Sequence, residues 1–307
     1  MKAVLDLGTN TFHLLIAEKN GAAISEIFQK QIPVKIGAGG INQGFISPEA
    51  YLRGINALEE FYHIIQQYPV KTIVATGTSA IRNAKNGAEF LEEIAVKFGF
   101  KVQSISGEME ASLIYKGVGL SFPFPDEPVL VMDIGGGSVE FIIGIKEEIF
   151  WKQSFEIGAA RLLDKFKPSN PISEEEIIAI EHYLNEALQP LSAELDRHKN
   201  TGKPVQILIG SAGSFETLLD VLKLDLNKKT TPISPFAKQV SLADTDLFYQ
   251  FIIGSNQSQR EQMKGLLDFR VDMIVVATLL MRYAQNRFGI KQLIASHYAL
   301  KEGLFFL

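Results

Sequence analysis

An α/β protein made of two related halves is expected from three features of this chain. One segment recurs, strand and helix patterns alternate around the recurrence, and 307 residues suit two domains. With 46% hydrophobic residues the chain can bury a sizeable core, and its 21% charged content is that of a globular protein. The recurrence sets the frame. AVLDLGTNTFHLLIA, residues 3 to 17, returns as LVMDIGGGSVEFIIG, residues 130 to 144. Placing Asp6 on Asp133, an offset of 133 − 6 = 127, matches Gly8 with Gly135, Thr11 with Ser138, and Leu14 to Ile16 with Phe141 to Ile143. Each copy reads as an apolar strand ending in Asp, a loop of Gly and small polar residues, and a returning apolar strand. Glycine in such a loop allows positive φ and close approach to a ligand. One loop per half, facing across a cleft, is the expected result.

The elements follow in order. Ser47-Pro48-Glu49 is an N-cap with proline at the first helical position, opening an amphipathic helix to about Gln67. KTIVAT (71–76) is a buried strand, Glu89 to Phe98 a helix stopped by Gly99, KVQSIS (101–106) a strand, and Glu108 to Lys116 a helix. SFPFPDEP (121–128) is rich in proline and marks the boundary, giving domains 1–124 and 125–307, with the last helix able to pack back on the first domain. Strands are expected at 129–133, 138–145 and 147–156, then one long helix from the Ser173/Glu176 capping box to about His198. VQILIG (205–210) is a strand and a helix follows Gly213; 225–240 reads as a loop; helices run from Phe269 to Phe288 and again from Tyr298.

Composition narrows the chemistry. The absence of cysteine removes disulfides, thiolate metal sites and cysteine nucleophiles. A net charge of −5 argues against a generally basic nucleic-acid or membrane surface, so an anionic ligand has to be met locally. The N-terminus is too short in apolar residues for a signal segment and Met273 to Met281 cannot span a bilayer, so a soluble cytoplasmic protein is expected. The five histidines show no metal-ligand spacing, although His13 takes the place of Glu140 in the repeat. Paired Asp-Gly loops put backbone N–H groups beside a carboxylate, which suits phosphate with a divalent cation.

Several motifs in one order then carry a resemblance: DLGTNTFHLLI (6–16), ATGTSAIRNAKNGAEFL (75–91), ISGEMEASLIYKGV (105–118), DIGGGSVEF (133–141), IGAARL (157–162), LIGSAGSFETL (208–218) and LDFRVDMIVVA (267–277). The chain resembles the exopolyphosphatase and guanosine pentaphosphate phosphohydrolase family, within the actin-like ATPase and sugar kinase superfold. The resemblance implies two ribonuclease H-like domains with the active site between them. It implies Glu110, in SGEMEA, as the general base, with Met109 where the family usually has a second glutamate. Glu140 would help with metal or water, and Asp6 and Asp133 would hold Mg²⁺, or Mn²⁺ in its place. The amides of Gly8 to Thr11 and of Gly135, Gly136, Gly137 and Ser138 would cradle phosphates, with the Thr9, Asn10 and Ser138 side chains adding donors. Arg82 would add a planar cation. Arg270 is similar to a family arginine and is expected to contact substrate, while Gly210 to Ser214, including Gly213, resembles the superfold's nucleoside-side loop. The expected substrate is inorganic polyphosphate, then guanosine pentaphosphate; a kinase and a non-catalytic polyphosphate or alarmone binder are the other classes, and a homodimer is left open.

Overall fold

The computed structural model describes residues 1–21 and 23–307. Strands β1 (Lys2–Leu7), β2 (Thr11–Asn20), β3 (Ala23–Pro33), β4 (Thr72–Gly77) and β5 (Val102–Ser104) form one sheet in the order β3-β2-β1-β4-β5. The second sheet contains β6 (Val129–Ile134), β7 (Val139–Ile145), β8 (Glu148–Phe155), β9 (Ile207–Ser211), β10 (Thr231–Ser234), β11 (Ala237–Val240) and β12 (Gln292–Ser296). Its order is β10-β11-β12-β9-β6-β7-β8. Starting from β8 it repeats the first sheet, three antiparallel strands followed by two parallel ones, with β11 and β10 added beyond β12. This is the ribonuclease H-like arrangement, present twice, as in the actin-like ATPase fold.

Strand parity explains the layering. In β1, Ala3, Leu5 and Leu7 face the helices Pro48–Ile65 and Gly87–Phe98, whereas Val4 faces the opposite way. That opposite face joins Leu15, the helix Gly107–Gly119 and the terminal helix Leu300–Phe305, which lie in turn on Val129, Val131, Ile142, Ile207 and Ile209 of the second sheet. The far side of the second sheet, with Leu130, Met132 and Phe141, packs on the helices Gly213–Leu224 and Met273–Arg287. Two sheets therefore share a middle layer of two helices. Lys2 Nζ donates to the Phe305 carbonyl at 2.8 Å, so the last helix meets the first strand. The 124/125 boundary falls in the connection between the Gly107–Gly119 helix and β6.

Three expectations are corrected. The long helix after Ser173 is two, Glu174–Ala187 and Gln189–Asn200, because Pro190 cannot continue the hydrogen-bond ladder and Leu188 leaves helical geometry. Residues 225–240 are not a plain loop, since β10 and β11 pair as a hairpin on the sheet edge; Pro232 is tolerated on an edge strand. The strand read over 101–106 contracts to Val102–Ser104. Among the described residues no helix is long and apolar enough to cross a membrane.

Candidate active site

Both Asp-Gly loops open into one cavity, whose lining includes Asp6, Thr9, Asn10, Glu110, Asp133, Gly136, Gly137, Ser138 and Lys301. The hairpin registers are equivalent: Asp6 stands opposite His13 in the first sheet, and Asp133 opposite Glu140 in the second. The two hairpins thus match in register, each first strand carrying its carboxylate next to its last residue.

The loops are held from behind by their carbonyls. Lys35 N–H donates to Asn10 O at 2.8 Å and Gly37 N–H to Thr9 O at 3.3 Å. In the second half, Ala159 N–H donates to Gly135 O at 3.0 Å and Ala160 N–H to Gly136 O at 2.8 Å, both from the start of the helix Ala159–Phe166. Drawing the carbonyls backward turns the N–H groups of these loops toward the cavity. Gly135 departs from expectation, because its own N–H donates to Ser138 O at 3.1 Å and so closes the loop. The glycines are also needed for a different reason than backbone angle. None of Gly8, Gly135, Gly136 or Gly137 has positive φ. A Cβ on Gly136 would sit 3.1 Å from Thr9 Cβ, and one on Gly137 would sit 2.6 Å from Thr9 Oγ1, so glycine lets the two loops touch.

Glu110 enters from the first turn of the Gly107–Gly119 helix, capped by Ser106, whose Oγ accepts from Met109 N–H at 3.2 Å. It lies one turn before Ile114 and shares its cavity-facing side. Its carboxylate is buried and accepts from Arg82 Nη1 at 2.8 Å. Burial pushes its pKa up to about 7, against the pull of Arg82, and Asp133 and Glu156 add repulsion. Asp133 accepts from Ser211 Oγ at 2.6 Å, yet burial raises it to about 6. Asp6 rises to about 8 through burial, then through the charges of Glu110 and Asp133, and its Oδ1 has no partner. Glu140 is buried behind the lining, accepts from Ser154 Oγ at 2.6 Å, and is raised by burial and by the charges of Glu110 and Asp133.

Four buried carboxylates, each raised chiefly by burial and one with an orphaned oxygen, form the donor chemistry that a hard divalent cation satisfies. Among the described residues no three acidic or histidine side chains converge into a closed cage. A cation held by one or two carboxylates, water and substrate phosphates fits such a site.

The other expected residues are placed less simply. Arg82 is beside the cavity, but its guanidinium holds Glu110, the Ile105 carbonyl at 3.0 Å and Glu156 at 3.4 Å. Arg270 reaches the lining while donating to Gly213 O, to Thr217 Oγ1 at 3.0 Å and to Glu216 at 3.3 Å, so its contacts in the structure are within the protein. A Cβ on Gly213 would strike that guanidinium. Gly210 is in β9, outside the lining, where its missing Cβ makes room for the Phe215 ring. His13 lines the cavity with Nδ1 unpartnered; burial, with Lys301 next, pushes its pKa down to about 3, so it is neutral.

Sequence reading missed Lys301, Glu216, Glu156 and Arg161. Lys301 is buried in the last helix, paired with Glu302 at 3.0 Å, and its cationic form is favoured by Glu302 and Glu216 despite burial. A Lys-Glu pair inside the apolar run from Ala299 to Phe306 is the signal that could have found it. Arg161 lies within IGAARL, and Glu156 directly precedes that motif.

Known proteins are similar to this chain in sequence and fold. The chain is similar to an exopolyphosphatase structure from Cytophaga hutchinsonii, with 37% identity, a TM-score of 0.91, and coverage of 99% of this chain and 96% of the other. It is also similar to the structure of the Aquifex aeolicus PPX-GPPA enzyme, with 26% identity, a TM-score of 0.79, and coverage of 99% and 98%. A Haemophilus influenzae protein provisionally named an exopolyphosphatase is 28% identical over 304 residues, 99% of this chain and 90% of that protein. The model of the Ppx/GppA phosphatase family matches residues 15–307, and with the paired loops and the cleft between the two halves this places the chain in that family.

Proposed function

We propose that the chain removes the terminal phosphate of inorganic polyphosphate, with water as acceptor and Glu110 as general base. The observation that carries the proposal is Glu110 itself. It is buried on the wall of the cavity into which both Asp-Gly loops open, fixed by Arg82, with a pKa of about 7 that lets it take a proton near neutrality. The N–H groups of Asn10 on one side and Gly136 and Gly137 on the other would orient the terminal phosphate, with Ser138 as a further donor. A water beside Glu110 attacks phosphorus as its proton passes to the carboxylate; the bridging P–O bond breaks, releasing phosphate and a chain one unit shorter. Asp6 and Asp133, which line the cavity, are the residues that would hold Mg²⁺ or Mn²⁺, with Glu140 buried behind them. That ion, when bound, would neutralise phosphate oxygens and lower the charge of the leaving group.

Support for an inorganic substrate over guanosine pentaphosphate comes from Arg270, whose guanidinium lies on Gly213 where the resemblance would put a nucleoside. Support for a hydrolase over a binder is the retention of Asp6, Glu110, Asp133 and Glu140 around one cavity, and Glu110 speaks for water over a kinase acceptor. The test is free phosphate released from polyphosphate, and from guanosine pentaphosphate, with and without Mg²⁺ and with no acceptor present. Release from polyphosphate is expected. No release from either, with intact ligand binding, would leave the binder as the correct reading.

A further inference from the structure

Glu156 is absent from the chemistry above, yet it stands where three parts of the site meet. Its Oε2 accepts from Ser79 Oγ at 2.7 Å and from Arg161 Nη2 at 2.6 Å, and its Oε1 from Arg82 Nη2 at 3.4 Å. Each donor leads to a different component. Ser79 begins the short helix whose Ala80 N–H donates to Thr9 Oγ1 at 3.2 Å, reaching the first phosphate loop. Arg161 Nε donates to Gly137 O at 3.1 Å, reaching the second loop. Arg82 holds Glu110. Glu156 follows β8 of the second half, while Ser79 and Arg82 belong to the first. A second bond set crosses the same rim, with Arg161 Nη1 donating to Ile41 O at 3.1 Å and Asn42 Nδ2 to Asp164 at 2.7 Å.

We infer that Glu156 is a positioning residue that makes the aim of Glu110 depend on the two loops being drawn together. When the halves meet, its carboxylate fixes one edge of Arg82 so that the other edge presents Glu110 to the cavity. When they part, Arg82 keeps the Ile105 carbonyl but loses the contact on its other edge, and the base is aimed less closely. The inference rests on the reading of Glu110 as base.

A purely structural role predicts something else. The Glu156 side chain is 42% exposed, and ion pairs at such positions contribute little to stability. Its removal should therefore leave melting nearly unchanged, whereas misaiming a base slows turnover steeply, by tenfold to a hundredfold for displacements of about an ångström. The experiment measures phosphate release from inorganic polyphosphate with Mg²⁺ for wild type, Glu156→Gln, Arg161→Gln, the double variant and Glu110→Gln, with the melting temperature of each. The expected result is a kcat about tenfold or more lower for Glu156→Gln at a KM within about twofold. The double variant should be about as slow as the slower single one, because both act through one chain of contacts. If Glu110→Gln is inactive while Glu156→Gln turns over at the wild-type rate, the positioning role is overturned and the base stands. If Glu110→Gln turns over normally, both readings fall. Losses that multiply in the double variant would also overturn the chain of contacts.

Discussion

Glutamine at position 110 would keep the shape of the side chain and an acceptor for Arg82 while removing the base. Glu110→Gln should lower kcat by about 10²-fold or more with KM little changed; a near wild-type kcat would remove Glu110 from the mechanism. The buried carboxylates give a second prediction, whose sign follows from their raised values. Unfolded, Asp6 and Asp133 titrate near 3.8; folded, they titrate near 8 and near 6. Between those limits the folded state holds protons that the unfolded state has lost, so their stabilisation is fully present below the lower limit and is lost as pH rises toward 8. Without metal the protein should melt lower at pH 8 than at pH 5.5, and Mg²⁺ should raise the melting temperature more at pH 8, where the carboxylates are ready to ionise. An equal Mg²⁺ effect at both pH values would mean that the ion is not bound by this cluster. Asp6 and Asp133 were legible in the sequence because the chain states their position twice, whereas Glu140, which has His13 as its counterpart in the repeat, was legible only through the family resemblance. Glu110 was legible only through a family resemblance, since a glutamate in the first turn of an amphipathic helix otherwise reads as a solvated residue. Glu156 and Arg161 were not legible, because their meaning lies in partners such as Ser79, Arg82 and Ile41, far away along the chain.

The crossing of the helices Gly107–Gly119 and Leu300–Phe305 is set by two glycines. A Cβ on Gly117 would collide with the Ala299 carbonyl, and one on Gly303 with the Leu113 carbonyl. Gly303→Ala should therefore destabilise the fold by about 1–3 kcal/mol, the range for overpacking a close contact. Denaturant unfolding measures it; a change within about 0.5 kcal/mol would mean that the crossing relaxes freely. These glycines carried no sequence signal, because a helical glycine records a contact only when its neighbour is known. The β10–β11 hairpin escaped for a related reason. Its outer strand is exposed at Thr231 to Ile233 and carries Pro232, so the apolar alternation that marks a strand is missing. The break at Leu188 was written in Pro190, which outweighs the capping box upstream.

Taken together, the two halves present one cavity on a chain of net charge −5. No block of consecutive Lys or Arg long enough to follow a polyanion is present in the sequence, so phosphates beyond the first few should add little binding energy. Long polyphosphate should then be shortened distributively. A gel at partial conversion should show a ladder of intermediate lengths, and intact long chains beside free phosphate alone would overturn this. Sizing the same sample in solution guards against a channel shared by two copies. The middle layer also bears on how the protein is made. Val4 and Leu15 are covered by Leu300, Leu304 and Phe305, which leave the ribosome long after them. The cover for the first sheet thus arrives only with Leu300–Phe305, and the first half should stay open to proteases until these emerge, even with all of its own sequence outside the tunnel. Nascent chains arrested with residues 1–124 exposed should be cut within β1 or β2, whereas released full-length chains should resist, and early protection would show that the first sheet closes without its final helix.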